Sequence, residues 1–282
     1  MIPISGKTRV AAVWGYPVAH SASPAMHNAA FAAIGFDAVY VALSVAPENI
    51  AGAVAGVRAF DLLGVNVTVP LKELVMPHLD SVSETARAIG AVNTIVNRNG
   101  ELWGDSTDGA GFLAAIESTG VAVNTESRFV VLGAGGSARA VVYALAERGA
   151  NVVIANRNAD RAQTLANDFA HLPGQITRTD YDEAGIGAAL AGGATALINT
   201  TSVGMQPNAD AIPPVPIAAL SSETFVADLI YKPRETLLLV AARERGCQTQ
   251  NGAEMLVRQG AIAFEYWTGT PAPLDIMRQA IR

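Results

Sequence analysis

The chain has 282 residues, half of them hydrophobic and 16% charged, with a formal net charge of −6. That length allows one large domain or two modest ones, and the acidic balance excludes nucleic acid or an anionic membrane surface as the main partner, while leaving room for an anionic small molecule in a locally basic cleft. A single cysteine, Cys247, excludes an internal disulfide; with no signal peptide read at the N-terminus and no apolar run of spanning length, a cytoplasmic protein is expected.

Val10 to Trp14 reads as an apolar strand that runs into the turn-rich "GYPVAHSASPAMHN". A helix is predicted over Ala25 to Ile34, a strand over "AVYVALSV", a helix over Glu48 to Val57 and a third strand over "VNVTV". Helical stretches are expected near Leu71 to His78 and Glu84 to Ile89. "NTIVNRNGELWGD" predicts a hairpin with Asn99-Gly100 at its turn. After Asp108, a helix over Ala110 to Ser118 leads to "RFVVLGAGGSARAVVYALAERGANVVIANRN", a strand, glycine turn, helix and strand. "ATALINTTSVGM" and "TFVADLIY" read as two more buried strands. Helices are predicted over Asp160 to Phe169, Glu235 to Arg245 and "NGAEMLVRQGAIAFEYWTG". The expected architecture is α/β in two domains separated by a cleft. An N-terminal substrate domain, residues 1–107, is completed by the C-terminal helices of residues 253–282. A Rossmann-type domain with a parallel sheet occupies residues 108–252.

The glycine turn has the context that a dinucleotide needs. Gly133, Gly135 and Ala138 follow an apolar strand and open a helix, so the backbone can approach a pyrophosphate closely and meet it with the positive helix end. At the end of the next strand an NAD site usually carries a carboxylate for the ribose hydroxyls. This chain has "NRNADR" instead. Arg157 and Arg161 suit a 2′-phosphate, which favours NADP, although a solvated helix start would also carry arginines.

A nicotinamide moves a hydride, and the protein must handle the accompanying proton. Only three of the nineteen basic residues are lysines, and Lys72 follows the third predicted strand. A lysine both stabilises an oxyanion and releases a proton, which an arginine does not readily do. "GDSTDG" offers two carboxylate partners, Asp105 and Asp108; Asp108 also fits the N-cap of the next helix. Ser21 and Ser23 in "HSASP" are paired hydroxyls able to bind a carboxylate, and equally a Ser-Pro turn that starts a helix.

These stretches, with "GVNVTVPLKE", "GAVNT", "GDSTDGAGF", "NTTSVGM", "DLIYKPRET" and "NGAEMLVRQG", resemble the shikimate dehydrogenase family over nearly the whole chain. The resemblance implies reversible NADPH-dependent reduction of 3-dehydroshikimate to shikimate, on the route to chorismate and the aromatic amino acids. It implies Lys72 and Asp108 as the catalytic pair, and Ser21 and Ser23 on the substrate carboxylate. Thr68, Asn93, Tyr231 and Gln259 would complete the substrate contacts. For the cofactor it implies Gly133, Ala134, Gly135, Gly136 and Ser137 at the pyrophosphate and Asn156, Arg157 and Arg161 at the adenosine phosphate. Met205, Leu229 and Gly252 would lie near the nicotinamide, with Glu84 at a polar position by the cofactor. No metal, nucleic acid or membrane partner is expected, and the assembly would be a monomer or homodimer. The chain departs from the family at Ser106, where Asn is common, and at Asn158, where Thr is common. The alternatives are a quinate/shikimate dehydrogenase paralogue and a non-catalytic NADPH-binding protein; the paired serines and arginines weigh against the first, and Lys72 with Asp108 against the second.

Overall fold

The computed structural model describes residues 4–282. It divides into two units: the chain up to Gly111 together with Leu256–Arg282, and Phe112–Met255. The boundaries fall within two helices, α4 and α9 below.

The first unit contains β1 (Arg9–Gly15), α1 (Ser23–Ile34), β2 (Ala38–Ser44), α2 (Ile50–Ala59), β3 (Gly64–Val67), β4 (Ser81–Val82), α3 (Glu84–Ile89), β5 (Thr94–Arg98), β6 (Glu101–Asp105) and the start of α4 (Asp108–Glu117). Its sheet has the order β2-β1-β3-β5-β6-β4. β1 pairs in parallel with β2 and β3, while β5 is antiparallel to β3 and β6. Alternation along β1 serves two cores, as the two-residue period of a strand requires. Ala11 and Val13 pack with Met26, Phe31 and Phe264; Ala12 and Trp14 pack with Val54, Val65 and Leu71. The hairpin forms at Asn99 and Gly100, both with positive φ (56° and 94°), the backbone that Asn-Gly favours.

The second unit contains β7 (Arg128–Leu132), α5 (Gly136–Glu147), β8 (Asn151–Ala155), α6 (Ala159–Asp168), β9 (Ile176–Thr179), α7 (Glu183–Ala191), β10 (Ala196–Asn199), β11 (Phe225–Asp228), α8 (Leu237–Glu244), β12 (Thr249–Asn251) and the start of α9 (Ala253–Thr268). The chain closes with α10 (Leu274–Ala280), in the first unit. All pairings in the second sheet are parallel, in the order β12-β11-β10-β7-β8-β9. This is the doubly wound Rossmann arrangement, with the order reversing between β7 and β10. Phe129 and Val131 face the α5/α6 side; Val130 and Leu132 face the α7/α8 side. Among the described residues no helix is long and apolar enough to cross a membrane.

The structure revises several element assignments. Leu71 to His78 is not an α-helix but a series of turns ending in a 3₁₀ turn, Met76–His78. Pro77 lacks the amide that helical pairing needs, and its ring disfavours the helical backbone at Met76. The expected helix at Glu48 begins as a 3₁₀ turn, Pro47–Asn49, before α2. The strands β4, β9 and β12 and the helix α7 are additions to the elements expected from sequence. β9 reads "ITRT" without a clear apolar face, and α7 contains Gly185 and Gly187, which lower helix propensity. Its start is fixed instead by Asp182, which accepts from Gly185 N at 2.7 Å.

Candidate active site

In the first unit the C-terminal ends of β1, β3 and β6 and the start of β5 lie along one edge of the sheet. Register places them there: β1 runs parallel to β3, and Thr94 opposes Asn66 on β3 and Asp105 on β6. Beyond β3, Leu71 and Val75 are fully buried and anchor the turn that carries Lys72. Its carbonyl accepts from Val92 N at 2.9 Å, so the lysine backbone is tied to the segment preceding β5.

The Lys72 side chain is buried, and its Nζ donates to Asp108 Oδ2 at 2.5 Å. Asp108 is the first residue of α4, where the helix dipole also favours a carboxylate. Its other oxygen accepts from Asn93 Nδ2 at 2.8 Å. The Asn93 amide group also lies 2.9 Å from Thr107 Oγ1 and 3.2 Å from Gln259 Oε1, while its carbonyl accepts from Thr107 N at 2.8 Å. Gln259 is fixed in turn by donating to Leu256 O at 2.8 Å. Gly111 permits this: a Cβ there would meet Gln259 Cβ at 2.7 Å.

Residue chemistry left both Asp105 and Asp108 as partners for the lysine, the family resemblance implied Asp108, and the structure pairs Lys72 with Asp108. Asp105 accepts from Ser83 Oγ and, at 2.8 Å, from Tyr266 OH. Burial and the hydrogen bond to Asp105 push the Tyr266 phenol up to about 12. Asp105 therefore ties α3 and α9 to the sheet, and it is Asp108 rather than Asp105 that pairs with Lys72. Thr107, which sequence reasoning did not single out, completes the buried cluster; its polar position between two aspartates was the available signal.

Thr68 N donates to Trp14 O at 2.8 Å, and a Cβ on Gly15 would meet Thr68 Cγ2 at 2.6 Å. The glycine thus lets the loop after β1 approach the one after β3. Ser23 is buried as the first residue of α1, and Ser21 Oγ accepts from its amide at 3.3 Å. Both readings of the serines are compatible with this geometry: they start the helix, and Ser21, Ser23 and Thr68 sit on the edge that carries Lys72. Glu84 is exposed in the first turn of α3, and the capping hydroxyl there belongs to Ser83.

In the second unit Gly133 has φ +113°, and a Cβ would meet Thr200 Oγ1 at 2.5 Å. Gly135 is the N-cap of α5, without a side-chain cap and with open space where a Cβ would stand. Gly133 to Ser137 therefore fit a pyrophosphate: a backbone that can be approached closely, at a helix N-terminus whose dipole favours anions. On the loop after β8, Asn156 Nδ2 donates to Asn158 O at 2.8 Å, and Asn158 Oδ1 caps α6 by accepting from Arg161 N at 3.0 Å. This leaves Arg157 and Arg161 exposed at the helix start, the charge pattern that a 2′-phosphate requires. Tyr181, which sequence reasoning missed, lies near Arg157. Burial raises its phenol pKa, opposed by the Thr201 hydroxyl and the Arg157 charge.

Two loops leave β10 and β11. The first carries Met205, whose amide donates to Ser202 O at 3.1 Å. The second carries Leu229 and Tyr231, both half-buried. Gly252 packs on it so tightly that a Cβ would stand 2.0 Å from Leu229 O.

Three family models match the chain: the shikimate dehydrogenase substrate binding domain over residues 13–95, shikimate/quinate 5-dehydrogenase over 117–184, and the shikimate 5′-dehydrogenase C-terminal domain over 252–282. A relative from Symbiobacterium thermophilum, named shikimate dehydrogenase (NADP(+)), is 49% identical, covering 98% of this chain and 94% of its own. A crystal structure of a shikimate dehydrogenase in complex with NADP+ has a TM-score of 0.91 at 39% identity, covering 99% of this chain and 96% of the other. A shikimate 5-dehydrogenase from Thermus thermophilus, in complex with NADP(H) and shikimate, has a TM-score of 0.87 at 38% identity, covering 98% and 99%.

Proposed function

The chain belongs to the shikimate dehydrogenase family, and from that premise we propose how its residues interconvert 3-dehydroshikimate and shikimate. It is an NADP-dependent oxidoreductase acting on a CH–OH group. The observation that carries the residue assignment is the buried Lys72–Asp108 pair, at 2.5 Å and braced by Asn93.

Bound NADPH would supply the hydride for the carbonyl carbon. Lys72 donates a hydrogen bond to the carbonyl oxygen and transfers the proton as negative charge develops there. Asp108 keeps the ammonium oriented and compensates its charge in a site with little water; in the oxidative direction the same nitrogen receives the hydroxyl proton. Ser21 and Ser23 bind the ring carboxylate. Thr68, Asn93, Gln259 and Tyr231 take the ring hydroxyls, whose directional hydrogen bonds select the substrate by the penalty for leaving buried polar groups unpaired.

On the cofactor side, Gly133, Ala134, Gly135, Gly136 and Ser137 hold the pyrophosphate. Asn156, Arg157 and Arg161 hold the adenosine 2′-phosphate through charge-assisted bonds. Met205, Leu229 and Gly252 would flank the nicotinamide, with Glu84 at a polar position near the cofactor. The lone buried Cys247 fits a cytoplasmic enzyme, and a monomer or homodimer would serve this chemistry equally.

Initial rates with shikimate and with quinate, each against NADP and NAD, test the reading. Shikimate with NADP is expected to be the preferred pair by kcat/KM. A preference for quinate or NAD would overturn the specificity assigned to the serines and arginines.

A further inference from the structure

The last residues of three neighbouring strands form a polar row at the C-terminal edge of the second sheet. Asn199 of β10 is in register with Asp228 of β11, which is in register with Asn251 of β12. Strand ends of this kind carry the loops that meet ligands in parallel α/β sheets. Asn199 and Asp228 are fully buried, a costly place for polar groups unless they are satisfied.

Their bonds reach into both loops. Asp228 Oδ1 accepts from Asn199 Nδ2 at 3.0 Å and from Ile230 N at 3.1 Å; Oδ2 accepts from Thr236 Oγ1 at 2.7 Å. Thr236 is also the N-cap of α8, so one carboxylate ties both ends of the segment 229–236. Asn199 does the same for the other loop. Its carbonyl accepts from Thr201 N at 3.0 Å and Thr201 Oγ1 at 2.7 Å, and its amide donates to Val203 O at 3.3 Å. The two loops also touch: a Cβ on Gly204 would stand 3.6 Å from Thr236 Cβ and 3.7 Å from Ile230 Cδ1. On the far side Asn251 Nδ2 donates to Arg234 O at 2.9 Å.

We propose that Asp228 is a positioning residue for the reaction, fixing through Asn199 and Thr236 the two loops that carry Met205, Leu229 and Tyr231. The relevance of those three side chains rests on the functional reading above. A carboxylate suits the role because it accepts several bonds at once and offers no competing donor. An asparagine keeps one carbonyl oxygen for Ile230 and Asn199 but turns an NH2 toward Thr236, whose hydroxyl hydrogen then loses its acceptor.

Burial raises the Asp228 pKa to about 6, and the three groups that lower it, Thr236, Ile230 N–H and Asn199, are all neutral. The closed, buried state therefore binds a proton more readily than an opened one, so the loops should tighten as pH falls through about 6.

The test is hydrogen exchange of the ligand-free protein, combined with steady-state rates, for wild type, Asp228→Asn and Asn199→Ala. Exchange in residues 200–205 and 229–236 is expected to rise by about tenfold in Asp228→Asn while the α5 amides stay protected. KM for NADP is expected to rise and kcat to fall. In wild type, protection of the two loops, corrected for intrinsic exchange, is expected to rise between pH 7 and pH 5; this arm needs no variant and stands even where a variant fails to fold. Wild-type exchange in Asp228→Asn, or a pH-independent wild type, would overturn the proposal. So would faster loop exchange with unchanged kinetics, which would make the role structural only. Failure of the functional reading shows up separately, as absence of NADP-dependent shikimate turnover in wild type, with the exchange data still judging Asp228.

Discussion

Asp108 in the first unit and Asp228 in the second are both buried carboxylates, satisfied by opposite means. Asp108 faces the Lys72 ammonium and one asparagine amide, whereas Asp228 is held by three neutral donors. A carboxylate paired with a cation orients a proton donor. One surrounded by neutral donors stays hard to ionise and serves geometry. His27 extends the contrast: it is fully buried in the first unit, stacked on Tyr40 at 4.3 Å, with neither ring nitrogen hydrogen-bonded. Burial drives its pKa down to about 3. The two units therefore bury titratable groups whose responses to acid have opposite sign.

Breaking the charged pair should give the largest effect. Lys72→Ala is expected to lower kcat by about 10²–10⁴-fold, the range for a general acid–base group. Lys72→Arg should not rescue it, because arginine keeps the charge without releasing the proton. Saturating kinetics on protein shown folded by thermal melting checks this, since removing one member of a buried pair is itself destabilising. Asp105→Asn is the control that sharpens the comparison. It should cost stability through Ser83 and Tyr266 while leaving kcat far closer to wild type than Asp108→Asn does.

The next effect is the acid sensitivity of the first unit. The folded His27 pKa lies below the unfolded value of 6.5, so the folded state binds fewer protons. Stability is complete above pH 6.5 and falls as pH drops from 6.5 toward about 3, by about 1.4 kcal/mol per unit and about 5 kcal/mol at most. Denaturant titrations over pH 4–7 should show this slope, and His27→Phe should flatten it.

In the second unit the sign reverses. The folded Asp228 pKa of about 6 lies above the reference 3.8, so the folded state binds more protons between these values. Stability then declines as pH rises from 3.8 to about 6, by about 3 kcal/mol. Hydrogen exchange of the β10 and β11 core amides over this window, against Asp228→Asn, separates this contribution from that of His27.

The smallest effect concerns the exposed arginines. Arg157→Ala should weaken NADP by about tenfold, one charge-assisted bond, with little change for NAD. Equal losses for both, measured by titration, would remove Arg157 from the 2′-phosphate.

Several features were legible residue by residue. The apolar run "FVVL" marked β7 as a buried strand, Asn99-Gly100 gave the hairpin turn, and Gly133 and Gly135 marked the strand-to-helix turn. Others were not. Pro77 made the segment after Lys72 a set of turns despite its apolar spacing. β9 and β12 are short strands at the sheet edges, where burial on both faces is not required and hydrophobic periodicity is weak. Tyr181 and Asp228 acquire their surroundings only when the loops after β8, β10 and β11 are brought side by side.

By itself the sequence determined the local elements and the inventory of chemistry: strands by their apolar runs, turns by glycine and proline, and a scarce lysine with Asp105 and Asp108 further along the chain. These are properties of neighbouring residues and need no fold to be read. The tertiary structure decided which aspartate meets the lysine, 36 positions away. The β5–β6 register directs Asp105 to Ser83 and Tyr266, and the turn into α4 then presents Asp108 to Lys72. A single-residue shift in that register would reverse which side chains face the buried edge, and no local pattern records it.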